Sequence, residues 1–341
     1  MLSGVAIGIV IWVLFGTFVC KKVLSGRAMM RAGDALMNSD NGKREYAAFA
    51  RKDSEELPSL PILILRAYTL GTFFVFISML AVLAAGVCSM ILPPALLSQA
   101  VVFVCKTLLW TSGITVKERG NRAKLSEAPC VVANHNSAFD IIVLLTKKFC
   151  FVSHDGVRDI PIVGKVAKAI GCIFVLRDSK DSRGIAKQKI AERLDSQVKG
   201  TCPVRVPLVV FPEGSTTNGH ALLVFRRGAF ESNVPIQPVF IEFSNHMRHF
   251  TIISLSELCC LACTLPGTEV TLHWRPVIKP STSRDADATA SLARESIAAA
   301  ASAYGRPKLE LLDASVSHRD AVASANLIRR IVNGKQTSKT E

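Results

Sequence analysis

The stretch VVANHNSAFD, residues 131–140, passes from an apolar β-branched run through a polar turn into the start of an apolar, helix-like segment. Strand, turn and helix in that order form the repeating unit of an α/β sheet, and such sheets place ligand sites just outside the carboxyl ends of their strands. His135 falls at that position. A helix beginning near Ser137 brings Asp140 back beside it, where the carboxylate can hold one ring nitrogen and leave the other to take a proton. The same His-x4-Asp spacing recurs at His154 and Asp159. Spacing alone does not choose between the pairs, and either histidine taken singly is more often a surface or structural residue.

Working outward, short apolar runs alternate with helix-like segments from about Thr115 onward. Strands are expected at 129–133, 149–153, 172–176, 207–211, 236–243 and 269–278, and helices at 137–147, 162–170, 184–198 and 252–263. The alternation predicts an α/β domain with a mostly parallel central sheet flanked by helices. This catalytic domain is expected over 113–281. A tail over 282–341 follows, with a helix at 286–303 and disorder over the last residues, NGKQTSKTE.

Ahead of that domain the texture differs. The chain has 341 residues, of which 49% are hydrophobic and only 20% charged, and its mean hydropathy is +0.33. That is too apolar for an ordinary soluble protein. Residues 2–20 carry no charge and are stopped by Lys21-Lys22, which predicts a transmembrane helix over 1–22; no basic segment precedes it as in a cleaved leader. A basic polar loop is expected over 23–66. Residues 67–92 are uncharged up to Pro93-Pro94, and a further apolar run covers 95–110. The segment 67–112 is therefore either a membrane span or a helical hairpin that enters one leaflet and returns. Nine basic against six acidic side chains over 21–66 favour a cytoplasmic loop, and the hairpin then keeps the catalytic domain cytoplasmic too. The ten scattered cysteines suit a reducing compartment. Cys260 and Cys263 form a lone CxxC with no second pair, so no metal site is expected. The net charge of +14 calls for an anionic partner. With few aromatics and no zinc-finger or RNA-binding motif, that partner is lipid or a phosphorylated substrate rather than nucleic acid.

LVVFPEGSTTNG, residues 208–219, ends a strand at a proline and opens a loop of backbone donors and hydroxyls suited to a phosphate or diol. Glu213, Gly214, Ser215 and Thr216 lie in it. FRRGAF, residues 225–230, adds Arg226, an arginine able to meet an anionic head group. A plain polar turn and a solvated basic turn are the bland readings of these two stretches.

Taken together, NHNSAFD, GCIFVLR, FPEGSTTNG and VPIQPV resemble the four blocks of the glycerolipid (1-acylglycerol-phosphate type) acyltransferase superfamily, in the family's order. The resemblance covers about 115–280. FPEGSTTNG followed by FRRGAF is closest to the lysophosphatidylcholine and lysophosphatidylethanolamine acyltransferases, with Ser215 where the family usually has Thr and with no calcium-binding loop. It implies an acyl-CoA-dependent O-acyltransferase acting on a lysophospholipid at the endoplasmic reticulum membrane. His135 and Asp140 would be the catalytic pair, with Arg177, Glu213 and Gly214 at acceptor-binding positions. Acyl-CoA would be a co-substrate, with no bound cofactor. It also makes the His154 spacing a coincidence, because the family has no catalytic residue there. Lysophosphatidic acid or glycerol 3-phosphate as acceptor, and a catalytically dead membrane scaffold, are the alternatives.

Overall fold

The computed structural model describes residues 2–37, 48–49, 57–175, 180–244, 254–303, 309–316 and 318–332. Its centre is a seven-stranded sheet. In chain order the strands are β1 (Ile114–Arg119), β2 (Cys130–Ala133), β3 (Cys150–His154), β4 (Ile173–Val175), β5 (Leu208–Val210), β7 (Ile236–Phe243) and β8 (Thr268–Trp274). Across the sheet the order is β1-β8-β7-β2-β5-β3-β4, and only the β7–β8 pairing is antiparallel. A separate two-stranded sheet joins β6 (Ala221–Leu222) to β9 (Glu310–Leu311). The mostly parallel α/β sheet predicted by the strand–helix alternation is thus present.

The central strands are apolar on both faces because both faces are covered. Val131, Ala133, Val209, Val239, Ile241 and Leu272 point to one side. There they meet α5 (Ala138–Leu145) and α8 (Leu255–Ala262). Cys130, Val132, Leu208, Val210, Ile236 and Phe240 point to the other, under α7 (Lys180–Val198) and α9 (Ala286–Ala303). The helix expected in a tail after residue 281 is therefore α9, and it lies in the core: Ala290, Ala293, Ile297, Ala300 and Ala301 are buried against the sheet. Its run of alanines is what lets a helix sit close over a twisted sheet. β1 was not anticipated. Its exposed, charged residues mark an edge strand, where the apolar alternation that identifies buried strands is lost.

The N-terminal helix α1 extends over Leu2–Met37, well past Lys21-Lys22. Those lysines end an apolar stretch but not a helix, since Lys and Arg are good helix formers. The loop expected over 23–66 accordingly starts helical and ends in α2 (Leu60–Arg66). A π-helical turn, Ala67–Gly71, leads into α3 (Thr72–Ile91), and Leu92-Pro93 reverses the chain into α4 (Pro94–Thr111). Ser78 and Thr111 hydroxyls lie 2.9 Å apart, and Phe74 meets Trp110 edge-on at 5.5 Å, so α3 and α4 form an antiparallel hairpin. Two stretches, Ala6–Gly33 and Leu60–Ile91, are long and apolar enough to cross a membrane by length and composition. The hairpin seats Leu97, Val101 and Cys105 on α5 and on α6 (Val163–Ala169). Finally α10 (His318–Val332), which the sequence reading did not foresee, packs Ile328 on Met29 of α1. The tail at 333–341 lies outside the described residues.

Candidate active site

The strand β2 ends at Ala133, and the next four residues build the centre of the site. Asn134, 1% exposed, is held to the neighbouring strand: its amide donates to the Ile241 carbonyl (3.0 Å) and its oxygen accepts the Ile241 N–H (2.7 Å). The loop then turns into α5 through a capping box. Ser137 Oγ accepts from Phe139 N–H at 3.2 Å, and Asp140, at the third helical position, accepts the Ser137 N–H at 2.9 Å. The same oxygen, Oδ2, accepts the Asn136 N–H at 2.6 Å and lies 2.8 Å from His135 Nδ1. Asp140 is fully buried, and the His135 side chain is 16% exposed. Two backbone amides and the His135 ring converge on one carboxylate oxygen; an ionised carboxylate only accepts, so the tautomer that fits a neutral ring here carries its proton on Nδ1 and presents Nε2 as an acceptor. The His-x4-Asp spacing thus has a structural origin: the aspartate that caps the helix also orients the imidazole.

The second pair is built differently. His154 Nδ1 accepts the Gly156 N–H at 2.9 Å, so this histidine itself caps a short 3-10 turn. Asp159 faces Arg158, 3.7 Å away. The shared spacing brings no carboxylate to the His154 ring.

The adjacent strand β5 supplies the other wall. Phe211 stacks on the His135 ring (4.1 Å, 15° between planes) and on Phe151 of β3 (6.0 Å). Glu213, 2% exposed, turns inward. Its Oε1 accepts the His135 N–H at 2.8 Å and its Oε2 the Leu223 N–H at 3.0 Å. Thr217 N–H closes the arrangement on the His135 carbonyl at 2.8 Å. Glu213 therefore ties the histidine loop to the loop after β5. Burial raises its pKa to about 8; the two backbone donors pull it down and Asp140 pushes it up again. Arg294 of α9 adds a favourable charge, and its guanidinium donates to the carbonyls of Leu222 (2.5 Å) and Leu312 (2.6 Å).

Gly214 has φ +70°, the left-handed region that glycine adopts freely. A Cβ there would lie 2.8 Å from Arg226 Cζ, so the Arg226 guanidinium rests on the glycine. Ser215 is buried and Thr216 half-buried in the same loop. Of the candidate residues, His135, Asp140, Glu213, Gly214 and Arg226 are brought into one connected group, Ser215 and Thr216 follow on its loop, and Arg177 lies outside the described residues. Sequence reasoning had Thr217 only as one hydroxyl of the loop suited to a phosphate or diol, and it missed Asn134, Phe211 and Arg294 as parts of the site. The first three stood within the quoted blocks, but their roles depend on which strands are neighbours. Arg294 sits in an alanine-rich helix that carries no local signal.

Residues 113–242 match the family described as Acyltransferase. The chain is 30% identical over 192 residues to mouse lysophosphatidylcholine acyltransferase 2B, covering 54% of this chain and 36% of that protein. It is 32% identical over 199 residues to human lysophosphatidylcholine acyltransferase 1, covering 55% of this chain and 36% of that one. The chain thus matches about a third of the length of these relatives. Its fold is similar to that of the 1-acyl-sn-glycerophosphate (LPA) acyltransferase PlsC from Thermotoga maritima (TM-score 0.51, 18% identity), over 72% of this chain and 98% of that one.

Proposed function

The chain carries an acyltransferase domain of the glycerolipid acyltransferase superfamily, near the lysophosphatidylcholine acyltransferases, and from that premise we propose that it transfers a fatty acyl group from acyl-CoA to the free hydroxyl of lysophosphatidylcholine or lysophosphatidylethanolamine. The observation that carries the chemistry is His135 Nδ1 held 2.8 Å from the buried Asp140 carboxylate, with Nε2 left as the acceptor. In this reading Nε2 takes the acceptor's hydroxyl proton as the oxygen attacks the thioester carbonyl. Asp140 stabilises the imidazolium that forms. When the tetrahedral intermediate collapses, the C–S bond breaks and His135 returns the proton to the departing CoA sulfur. No acyl-enzyme is required.

The amides of His135, Asn136, Ser137 and Thr217 all donate within the fold. They are therefore not the donors that stabilise the oxyanion. Arg226, whose guanidinium rests on Gly214, would meet the acceptor's phosphate, a role the family resemblance gives to Arg177. Glu213 acts on the acceptor by fixing the loop, since both its oxygens face backbone amides. Two apolar helical regions and a basic chain suit amphiphilic substrates taken from a bilayer. Here α1 spans the endoplasmic reticulum membrane and α3–α4 enters one leaflet, with the catalytic domain on the cytoplasmic side.

Purified protein in mixed micelles, assayed with an acyl-CoA panel against several lysophospholipids and glycerol 3-phosphate, tests this reading. Transfer to lysophosphatidylcholine or lysophosphatidylethanolamine is expected. Activity on lysophosphatidic acid or glycerol 3-phosphate alone would overturn the head-group assignment, and transfer to none of them would leave a scaffold.

A further inference from the structure

Between β3 and α6 the chain reads DGVRDIPIVG, residues 155–164, and this loop does two unusual things. First, it exposes a run of apolar side chains. Ile160 is 37% and Val163 39% exposed, and Pro161 between them is exposed as well. Consecutive exposed apolar residues on a soluble domain are a liability unless something covers them. Second, the residue of the run that is tucked in, Ile162, has φ 69° and ψ −57°. With Val163 N–H donating to the Pro161 carbonyl at 2.8 Å, this is a γ-turn of the rare positive-φ hand. A β-branched residue adopts that conformation only where its surroundings hold it.

What holds it is Gly86 of α3. A Cβ at residue 86 would lie 2.9, 3.0 and 3.3 Å from Ile162 Cγ2, Cγ1 and Cδ1, so the isoleucine fills a notch that only glycine leaves open. Around the notch the hairpin is bare and apolar: Val87, Met90 and Ile91 are among its most exposed residues. Ile160 and Val163 therefore flank a contact at the edge of that surface and extend it onto the catalytic domain. Exposed Lys165 and Lys168 follow on α6, where they can meet lipid phosphates. At its other end the loop leaves β3, whose Phe151 stacks through Phe211 onto the His135 ring.

We propose that residues 160–163 are a second membrane-contacting element, inserted into the lipid beside the α3–α4 hairpin and latched to it by Ile162 in the Gly86 notch. The proposal rests on the membrane reading of the hairpin. It makes the loop between β3 and α6 the rim through which the catalytic domain touches the bilayer.

Tryptophan quenching tests both together and tells them apart. Ile160→Trp and Val163→Trp are each reconstituted in phosphatidylcholine vesicles with plain or brominated acyl chains, and the parent protein's signal is subtracted. Leu80→Trp reports on the hairpin, and Val198→Trp, at the exposed end of α7 on the other side of the sheet, is the aqueous control. Loss of the added fluorescence in brominated vesicles is expected at 80, 160 and 163 but not at 198. Quenching at 80 without quenching at 160 and 163 overturns the proposal and leaves the hairpin reading standing; no quenching at 80 overturns the hairpin reading itself. Adding Gly86→Val to Ile160→Trp fills the notch, and the quenching at 160 should fall while that at 80 in the same background persists. Unchanged quenching at 160 overturns the latch.

Discussion

At the scale of single residues, Asp140 joins structure to chemistry. Its Oδ2 gathers the His135 ring and two backbone amides in a fully buried position, so replacing it disturbs the imidazole and the helix start together. His135→Ala should lower kcat on the order of 10²–10⁴-fold, the usual worth of a positioned base. Asp140→Asn should also lower kcat far more than it changes KM, because the loop after β5, proposed to bind the acceptor, is left in place; equal changes in both constants would contradict the orienting role. Glu213 makes a different forecast. Folding raises its pKa from 4.5 to about 8, chiefly by burial, so the folded state holds a proton that the unfolded chain gives up earlier. The stability this contributes is complete below about 4.5, is lost as pH rises towards about 8, and stays lost above. Glu213→Gln should flatten the decline of Tm with pH across that window; parallel curves for the two proteins would refute the assignment.

At the scale of elements, the site depends on neighbouring strand ends staying in register. Asn134 fastens β2 to β7 through both polar groups of Ile241. Asn136 approaches the same carbonyl at 3.5 Å, so Asn134→Ala chiefly orphans the Ile241 N–H. An unpaired buried donor costs about 1–3 kcal/mol, and the denaturant midpoint should fall accordingly. On the β5 side, Gly214→Ala places a side chain in the left-handed region, at about 1–2 kcal/mol, and against the Arg226 guanidinium. Acceptor KM should rise more than kcat falls, and an unchanged KM would remove this loop from acceptor binding. The two histidines illustrate how much an element decides. His135 and His154 share a spacing, but only Asp140 falls at the third position of a capped helix, while His154 caps a turn of its own.

At the scale of the whole molecule, the long apolar helices and the site share one side of the sheet. α1, α3, α5 and α8 pack into the cluster that also holds Ala133 and Phe151, with Phe211 against it. The opposite side is closed by α7 and α9. If α1 spans and the hairpin returns, a glycosylation acceptor placed before Leu2 should be modified in microsomes, while one placed in the 281–284 turn should not. Modification at the second position would make Leu60–Ile91 a complete span and put the catalytic domain in the lumen.

Much of this was legible from residue order. The apolar runs at 129–133 and 207–211 identify β2 and β5 because parallel strands buried on both faces are continuously apolar, and the run at 236–243 identifies β7 even though Gln237 and Glu242 interrupt it and one of its two neighbours is antiparallel. Ser137 with Asp140 marks a helix start, because capping is decided within four residues. The sequence by itself therefore determined the α/β class, the strand–turn–helix around His135 and the apolar segments ahead of the domain. Tertiary structure alone decided what depends on distant partners: that the Glu213 carboxylate faces the amides of His135 and Leu223, that Phe211 covers the His135 ring, and that Arg294 reaches the site from a helix more than eighty residues further along. Local pattern reports which face of an element is buried. It carries no record of which strand becomes a neighbour, and a buried carboxylate takes its partners from that neighbour.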